Sequence, residues 1–214
     1  MTPLFPTLPP VEAAVEGADV AYTPEEVVSV LLRPEMARAI IPPMVEQVWE
    51  PCAGGGAWIR ALRARRPFMS IHATEIDPAA ASIRAGLATH GDAFNPASCP
   101  WATTPGARYE IWTNPPFSLA GDLLRAWFNF PNPPERVILL LLQAWPNAGE
   151  RAWVWPHMHR EIVLYPRISF DGPGRKAKQT DQRDYSIFEF TPTCRVPWHS
   201  IAKKRLDWRA RVLS

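Results

Sequence analysis

The run Val137-Ile138-Leu139-Leu140-Leu141-Leu142 narrows the possible folds more than any other segment of the chain. Six consecutive apolar residues are too few to span a bilayer, and they offer no polar face to water. They fit a strand buried on both sides, which requires a parallel sheet with helices packed over each face. The rest of the chain supplies the partners. Short β-branched or aromatic runs predict further strands at 47–50, 70–75, 109–113, 161–165 and 185–190. Helical patterns over 57–66, 78–88, 119–130 and 147–157 separate most of these runs, a rhythm that predicts an α/β fold. Residues 185–190 alternate and follow their predecessor without an obvious helix, so an antiparallel strand closing the sheet is expected there. Thr23-Pro24-Glu25-Glu26 has the order of a capping box, with Thr23 as the cap and Glu26 three residues on, and predicts a helix start.

The length of 214 residues allows one such domain or two small ones. With 47% hydrophobic and 21% charged residues, the chain can bury a core and is not disordered. Cys52, Cys99 and Cys194 are odd in number and far apart, which argues against a disulfide framework or a zinc site. Neither a membrane span nor an export leader is visible, so no membrane partner, no metal and a reducing cytoplasm are expected. Charge is distributed unevenly: residues 1–50 carry eight acids against two bases, and residues 195–214 six bases against one acid. A basic end on a near-neutral chain hints at a polyanionic partner and serves equally as a solvated tail.

Two segments carry chemistry. Glu50-Pro51-Cys52-Ala53-Gly54-Gly55-Gly56 follows the first predicted strand and opens the first helix after it. A glycine cluster at a helix N-terminus lets a ligand approach bare backbone, with N–H groups facing it. Glu75 ends the next strand 19 residues after Gly56, where a nucleoside-binding α/β unit places its ribose-binding carboxylate. The loop is not G-x-G-x-x-G, and no Lys-Ser or Lys-Thr follows to hold phosphates, which excludes a P-loop.

The second segment is Asn114-Pro115-Pro116-Phe117, directly after the strand at 109–113. Two prolines forbid helix and hold the Asn side chain and the neighbouring carbonyls in one rigid arc. Such an arc can accept both hydrogens of a planar amino group, while the aromatic ring stacks on the ring that bears it. In a chain with 25 prolines the tripeptide alone means little. Asn132-Pro133-Pro134-Glu135 repeats it without an aromatic, before a strand instead of after one. Position and aromatic together single out the first copy.

The order Tyr22-Thr23-Pro24, the Glu50 glycine loop, Glu75-Ile76-Asp77, Gly91-Asp92-Ala93-Phe94 and Asn114-Pro115-Pro116-Phe117 resembles the S-adenosylmethionine-dependent amino-methyltransferases. Among these it is most similar to the N6-adenine DNA methyltransferases. The resemblance runs from about Tyr22 to Gln143, and Arg167-Ile168-Ser169-Phe170 looks like small phage or prophage members. It implies a Rossmann-like class I methyltransferase fold, with a mainly parallel seven-stranded sheet and an antiparallel last strand.

It also implies roles. Tyr22, Thr23 and Pro24 would hold the methionine end of S-adenosylmethionine, over a floor of Glu50, Pro51, Cys52, Ala53, Gly54 and Gly56. Glu75 would bind the ribose hydroxyls, Ile76 the adenine ring and Asp92 its amino group, with Phe94 packing nearby. Asn114 and the Pro115 carbonyl, held by Pro116, would grip the target amino nitrogen, and Phe117 would stack on the target base. Phe117 replaces a commoner Tyr and Glu50 an Asp, changes that keep the stacking face and the charge. Arg167, Phe170, Arg175, Lys176, Lys178 and Arg183 are candidate contacts to DNA, although Phe170 fits a core better than a stacking platform. Expected boundaries are an arm at 1–20, a methyltransferase domain at 21–194 with a recognition loop at 166–184, and a basic tail at 195–214. No separate recognition domain is expected, so specificity would rest on that loop, the tail or a homodimer, in a bacterial or phage-infected cell. Adenine in RNA, N4 of cytosine and a protein glutamine remain open as targets, as does an inactive nucleic-acid-binding protein of this fold.

Overall fold

A computed structural model of the chain describes residues 22–32, 44–170, 183–193, 201–207 and 209. Among these residues eight strands form one sheet: β1 (Gln47–Glu50), β2 (Ser70–Glu75), β3 (Thr89–His90), β4 (Glu110–Thr113), β5 (Arg136–Leu142), β6 (Met158–Tyr165), β7 (Tyr185–Phe190) and β8 (Ala202–Asp207). Their order across the sheet is β3-β2-β1-β4-β5-β7-β6-β8. The pairs from β3 to β5 are all parallel. β7 runs antiparallel to both β5 and β6, and β8 is parallel to β6. The Rossmann-like α/β fold is therefore present, with eight strands where seven were expected. The antiparallel strand lies inside the sheet and does not close its edge.

Side-chain alternation along β5 explains why this strand lacks a polar face. Ile138 and Leu140 join Trp58, Leu62 and Val28 in one core layer, on the side of α1 (Glu25–Leu31) and α2 (Ala57–Arg65). Val137, Leu139 and Leu141 join Leu124, Trp127 and Phe188 in the other, on the side of α4 (Ala120–Phe128). Between β2 and β3, α3 is only Ala81–Arg84, where 78–88 was expected. Gly86 adopts φ +65° and ends it. The helix expected at 147–157 is a 3-10 segment, Gly149–His157, with Pro156 inside it.

Two terminal expectations change. Pro24, not Thr23, caps α1, and no side-chain cap bond forms. Thr23 is buried instead, so its hydroxyl is not the helix cap. Residues 202–207, expected in a basic tail, add β8 to the sheet along β6 from Arg160 to Tyr165. Leu206 anchors this strand in the first core layer. The arm at 1–20 lies outside the described residues, as do Cys194, Arg175, Lys176 and Lys178. Among the described residues no helix is long and apolar enough to cross a membrane.

The strand ends opposite the glycine loop hold a buried ionic network. Arg136, at the start of β5, donates from Nη2 to both oxygens of Glu110 at the start of β4, at 2.9 and 2.8 Å. Its Nη1 lies 3.3 Å from Glu189 near the end of β7, and Arg160 of β6 reaches Glu189 at 3.5 Å. Trp112 Nε1 donates to Glu110 at 2.6 Å. Two carboxylates are thus matched by two guanidinium groups inside the protein.

Candidate functional site

The C-terminal ends of β1, β2 and β4 meet at the opposite edge, where open parallel sheets place their ligands. The loop after β1 is tied to β2 through Ala53 N to Thr74 O at 3.1 Å, and to α3 through Ser82 N to Gly54 O at 3.1 Å. Gly54 adopts φ +47°, and a Cβ there would stand 3.0 Å from Cδ1 of the Tyr22 ring. Gly56, the N-cap of α2, adopts φ +81°. Both positions require backbone that glycine adopts freely. Arg60 clamps the loop from α2, donating to Gly55 O at 2.8 Å and to Glu25 of α1 at 2.6 Å.

Three acids stand around this loop. Glu75 is buried and accepts from Gly54 N at 2.6 Å and Asp77 N at 3.1 Å, one bond on each oxygen. Asp92, beyond β3, accepts from Phe94 N at 2.9 Å. Glu50 has no exposed surface, accepts from Cys52 N at 3.1 Å and takes a short hydrogen bond from the Thr113 hydroxyl. Its second oxygen has no partner among the described residues. Burial pushes the Glu50 carboxyl well above its usual range; the Thr113 and Cys52 bonds oppose the shift and the Glu75 charge adds to it. Burial, with Glu50 and Glu75 next, likewise pushes the Cys52 thiol up, which disfavours the thiolate.

Asn114-Pro115-Pro116-Phe117 leaves the end of β4 beside these acids. Pro116 O accepts from Leu119 N at 3.0 Å, and Phe117 O accepts from Trp145 Nε1 at 3.2 Å. The Phe117 ring rests 5.9 Å from Tyr185, the first residue of β7. The loop is held at both ends by β4 and α4, as a rigid binding arc requires.

One cavity of about 230 Å³ joins these parts. Of the residues expected from the sequence, Tyr22, Pro51, Cys52, Gly54, Glu75, Ile76, Asp92, Phe94 and the whole Asn114–Phe117 segment line it. Thr23 and Ala53 line a small annex behind Tyr22, while Glu50 lies beneath the floor. Pro24 and Gly56 shape α1 and α2 without lining the cavity. Ile76 is an exposed aliphatic side chain on the wall, 41% accessible, as a platform for a planar ring would be. Arg167 lies elsewhere, paired with Asp184 at 2.9 Å. Phe170 is 2% exposed and packs on Tyr185 at 4.6 Å, in the core, so it offers no face to a substrate.

Residues not expected from the sequence include Thr113, Asp77, Arg60 and, in the cavity lining, Ala80, Leu119 and Leu123. Thr113 and Asp77 each adjoin an expected residue, a signal that was available. Arg60 gave none, since a helical arginine is ordinarily solvated. Among the described residues no cluster of three or more His, Cys, Asp or Glu could hold a metal ion.

No family model and no curated protein matches the sequence. Solved structures do match the fold. The type I restriction-modification methyltransferase subunit of Streptococcus thermophilus superposes with a TM-score of 0.51 at 12% identity, covering 80% of this chain and 44% of its own. The 23S rRNA methyltransferase ErmE gives 0.52 at 15% identity, over 80% of this chain and 68% of its own. A Pyrococcus horikoshii protein described as a candidate RNA methyltransferase gives 0.53 at 17%, over 80% and 85%. This chain thus spans less than half the length of the first of these proteins. At such identities the likeness establishes the Rossmann-like fold of these methyltransferases.

Proposed function

We propose that the chain transfers a methyl group from S-adenosylmethionine to the N6 amino group of adenine in DNA. The observation that carries this reading is a single cavity lined by the glycine loop, Glu75 and the Asn114–Phe117 arc together. The cofactor fits on two counts. Bare backbone at Gly54 lets the Tyr22 ring close over the loop, where a Cβ would stand 3.0 Å from its Cδ1, and buried Glu50 keeps one oxygen without a partner among the described residues, an acceptor for a cationic group above the floor. Glu75 keeps lone pairs beyond its two backbone bonds for a pair of ribose hydroxyls. Bound S-adenosylmethionine supplies the methyl on a sulfonium centre that needs no metal or nucleophilic side chain.

The work of the protein is then positioning. The Asn114 side-chain oxygen and the Pro115 carbonyl accept the two N–H groups of the target. This draws the nitrogen lone pair out of conjugation and aims it at the methyl. The Phe117 ring holds the base face, and an adenine taken from a duplex must first be turned out of the stack. The nitrogen–carbon bond forms as the sulfur–carbon bond breaks, and the surplus amino proton passes to water.

Labelled S-adenosylmethionine with unmethylated genomic DNA, total RNA in a parallel reaction, and Asn114→Ala as control tests this directly. N6-methyladenine in the DNA digest that disappears in the variant is expected. Label confined to RNA, to N4-methylcytosine or to protein overturns the DNA adenine assignment and reassigns the target.

A further inference from the structure

The sheet face that carries Glu161, Val163 and Tyr165 is left partly open. Ile162 and Leu164 of the same strand are buried on the opposite face, while Tyr165 is 49% exposed. Over this face runs a groove of two lobes, about 590 and 570 Å³, which share Gln143 and Asp184 as their saddle. Gln143, at the end of β5, donates its N–H to Asp184 O at 2.9 Å, and Asp184 precedes Tyr185, the ring that packs against Phe117. Ala144 and Pro146, which line the first lobe, flank Trp145, whose Nε1 donates to Phe117 O at 3.2 Å, so the groove begins near the Asn114–Phe117 arc and runs along the ends of β5, β6 and β8. Four strand spacings of about 4.8 Å carry it roughly 19 Å from the end of β4.

Its chemistry is that of a polynucleotide track. Arg167, Arg183, Lys203, Arg205 and Arg209 line it against two acids, Glu161 and Asp184. Glu161 is held by Lys203 at 3.0 Å and Ser186 at 3.0 Å, and Asp184 by Arg167. The Arg205 guanidinium lies 4.4 Å over the Tyr165 ring. An exposed aromatic and a guanidinium in stacked contact form a flat, cationic platform of the kind on which bases stack while phosphates pair nearby. β8 is what brings Arg205 here, so the stretch expected as a tail builds one wall of the groove.

We propose that this groove holds the DNA strand flanking the target adenine, with Tyr165 and Arg205 stacking on a neighbouring base and Arg205 and Arg167 meeting the phosphates. The inference rests on the methyl-transfer reading for the position of the target base. The groove itself is tested by binding, which is independent of turnover. A fluorescent thymine-rich single strand with one adenine, and the matching duplex, serve as probes. They are titrated by anisotropy with S-adenosylhomocysteine present.

Tyr165→Ala is expected to weaken binding roughly tenfold or more, Tyr165→Phe to restore it, and Arg205→Gln to reduce the salt slope of log K by about one. In turnover, Tyr165→Ala and Arg205→Gln should raise KM for DNA more than they lower kcat, with S-adenosylhomocysteine affinity held. Parent-like DNA binding and salt slope in both variants overturns the groove, even if Asn114→Ala still abolishes methylation. Loss of binding in these variants, together with no methylation of DNA by the parent protein, keeps the groove and overturns the methyl-transfer reading. Binding of RNA strands to the exclusion of DNA overturns both.

Discussion

The two ends of the sheet treat buried carboxylates in opposite ways. At the start of β4 and β5, Glu110 has no exposed surface and Arg136 only 1%, and each charge meets its opposite within hydrogen-bonding reach. At the other end, Glu50 is equally buried and Glu75 nearly so, yet their partners are backbone N–H groups and one hydroxyl. No guanidinium or ammonium group among the described residues is paired with either one. A buried charge answered inside the chain belongs to the architecture. A buried carboxyl answered only by dipoles is costly to ionise unless a ligand completes it, which is why such groups mark functional sites.

The contrast is broken or sharpened first at Arg136. Arg136→Ala leaves Glu110 and Glu189 in the core without their main cation, and removing one partner of a buried pair costs about 3–5 kcal/mol. Urea denaturation should show that loss, with the midpoint falling steeply and cofactor affinity of the surviving folded fraction near that of the parent. A loss under about 1 kcal/mol would mean that the network is not what holds β4, β5 and β7 in register.

Asn114→Ala should do the reverse. The thermal midpoint should hold, while kcat falls by about a hundredfold or more, the usual result of removing one group that meets developing charge. If melting and turnover fell together, the arc would be a structural loop and the assignment of the site would fail.

How much of this was visible in advance follows from the range of the interactions involved. The glycine loop, Glu75 and the Asn114 arc are local chemistry, a few residues whose backbone limits and functional groups can be read without their neighbours. The buried strand β5 was legible for the same reason. β8 was not. Ala202-Lys203-Lys204-Arg205-Leu206-Asp207 carries one apolar anchor, and only pairing with β6, some 40 positions earlier, turns it into a strand. The two-residue β3 is too short to leave a pattern. The capping box at Thr23 failed because the side chain was drawn into the interior beside the glycine loop, where packing outweighs a cap worth about 1 kcal/mol. Nor did the members of the ionic network stand out, since Glu110, Arg136 and Glu189 are far apart in sequence and ordinary one by one.

A smaller effect is expected at Glu75. Glu75→Gln keeps the size and one acceptor oxygen but replaces the other with a donor facing Gly54 N or Asp77 N, and it removes the charge that would hold ribose hydroxyls. Charge-assisted bonds are worth about 1.5–3 kcal/mol, so S-adenosylhomocysteine affinity measured by calorimetry should fall by roughly ten- to a hundredfold. Turnover at saturating cofactor should fall less than in Asn114→Ala. Unchanged affinity would move the ribose away from β2.

The smallest effect, and the most diagnostic of the contrast, is expected from Glu50→Gln. Because burial raises the Glu50 pKa in the folded protein above its unfolded value, the folded state binds that proton more tightly. Below the ordinary carboxylate range both states are protonated and the group costs nothing. As pH rises through that range toward the raised pKa, the unfolded chain ionises first, and the contribution of the group to stability is lost. The ligand-free protein should therefore lose thermal stability as pH rises over this interval. The side-chain amide oxygen introduced by Glu50→Gln can still accept from Cys52 N and the Thr113 hydroxyl, which share one oxygen in the parent. The variant should therefore melt slightly higher at neutral pH, with a flatter pH profile. S-adenosylmethionine, cationic at its sulfonium and amino groups, should favour the ionised Glu50, so binding to the parent should tighten with pH and release a proton measurable in two buffers of different ionisation enthalpy. In Glu50→Gln that release should vanish and affinity should drop. If the two proteins melted in parallel at every pH and released the same protons on binding, Glu50 would belong with Glu110, as a carboxylate that the fold has already answered.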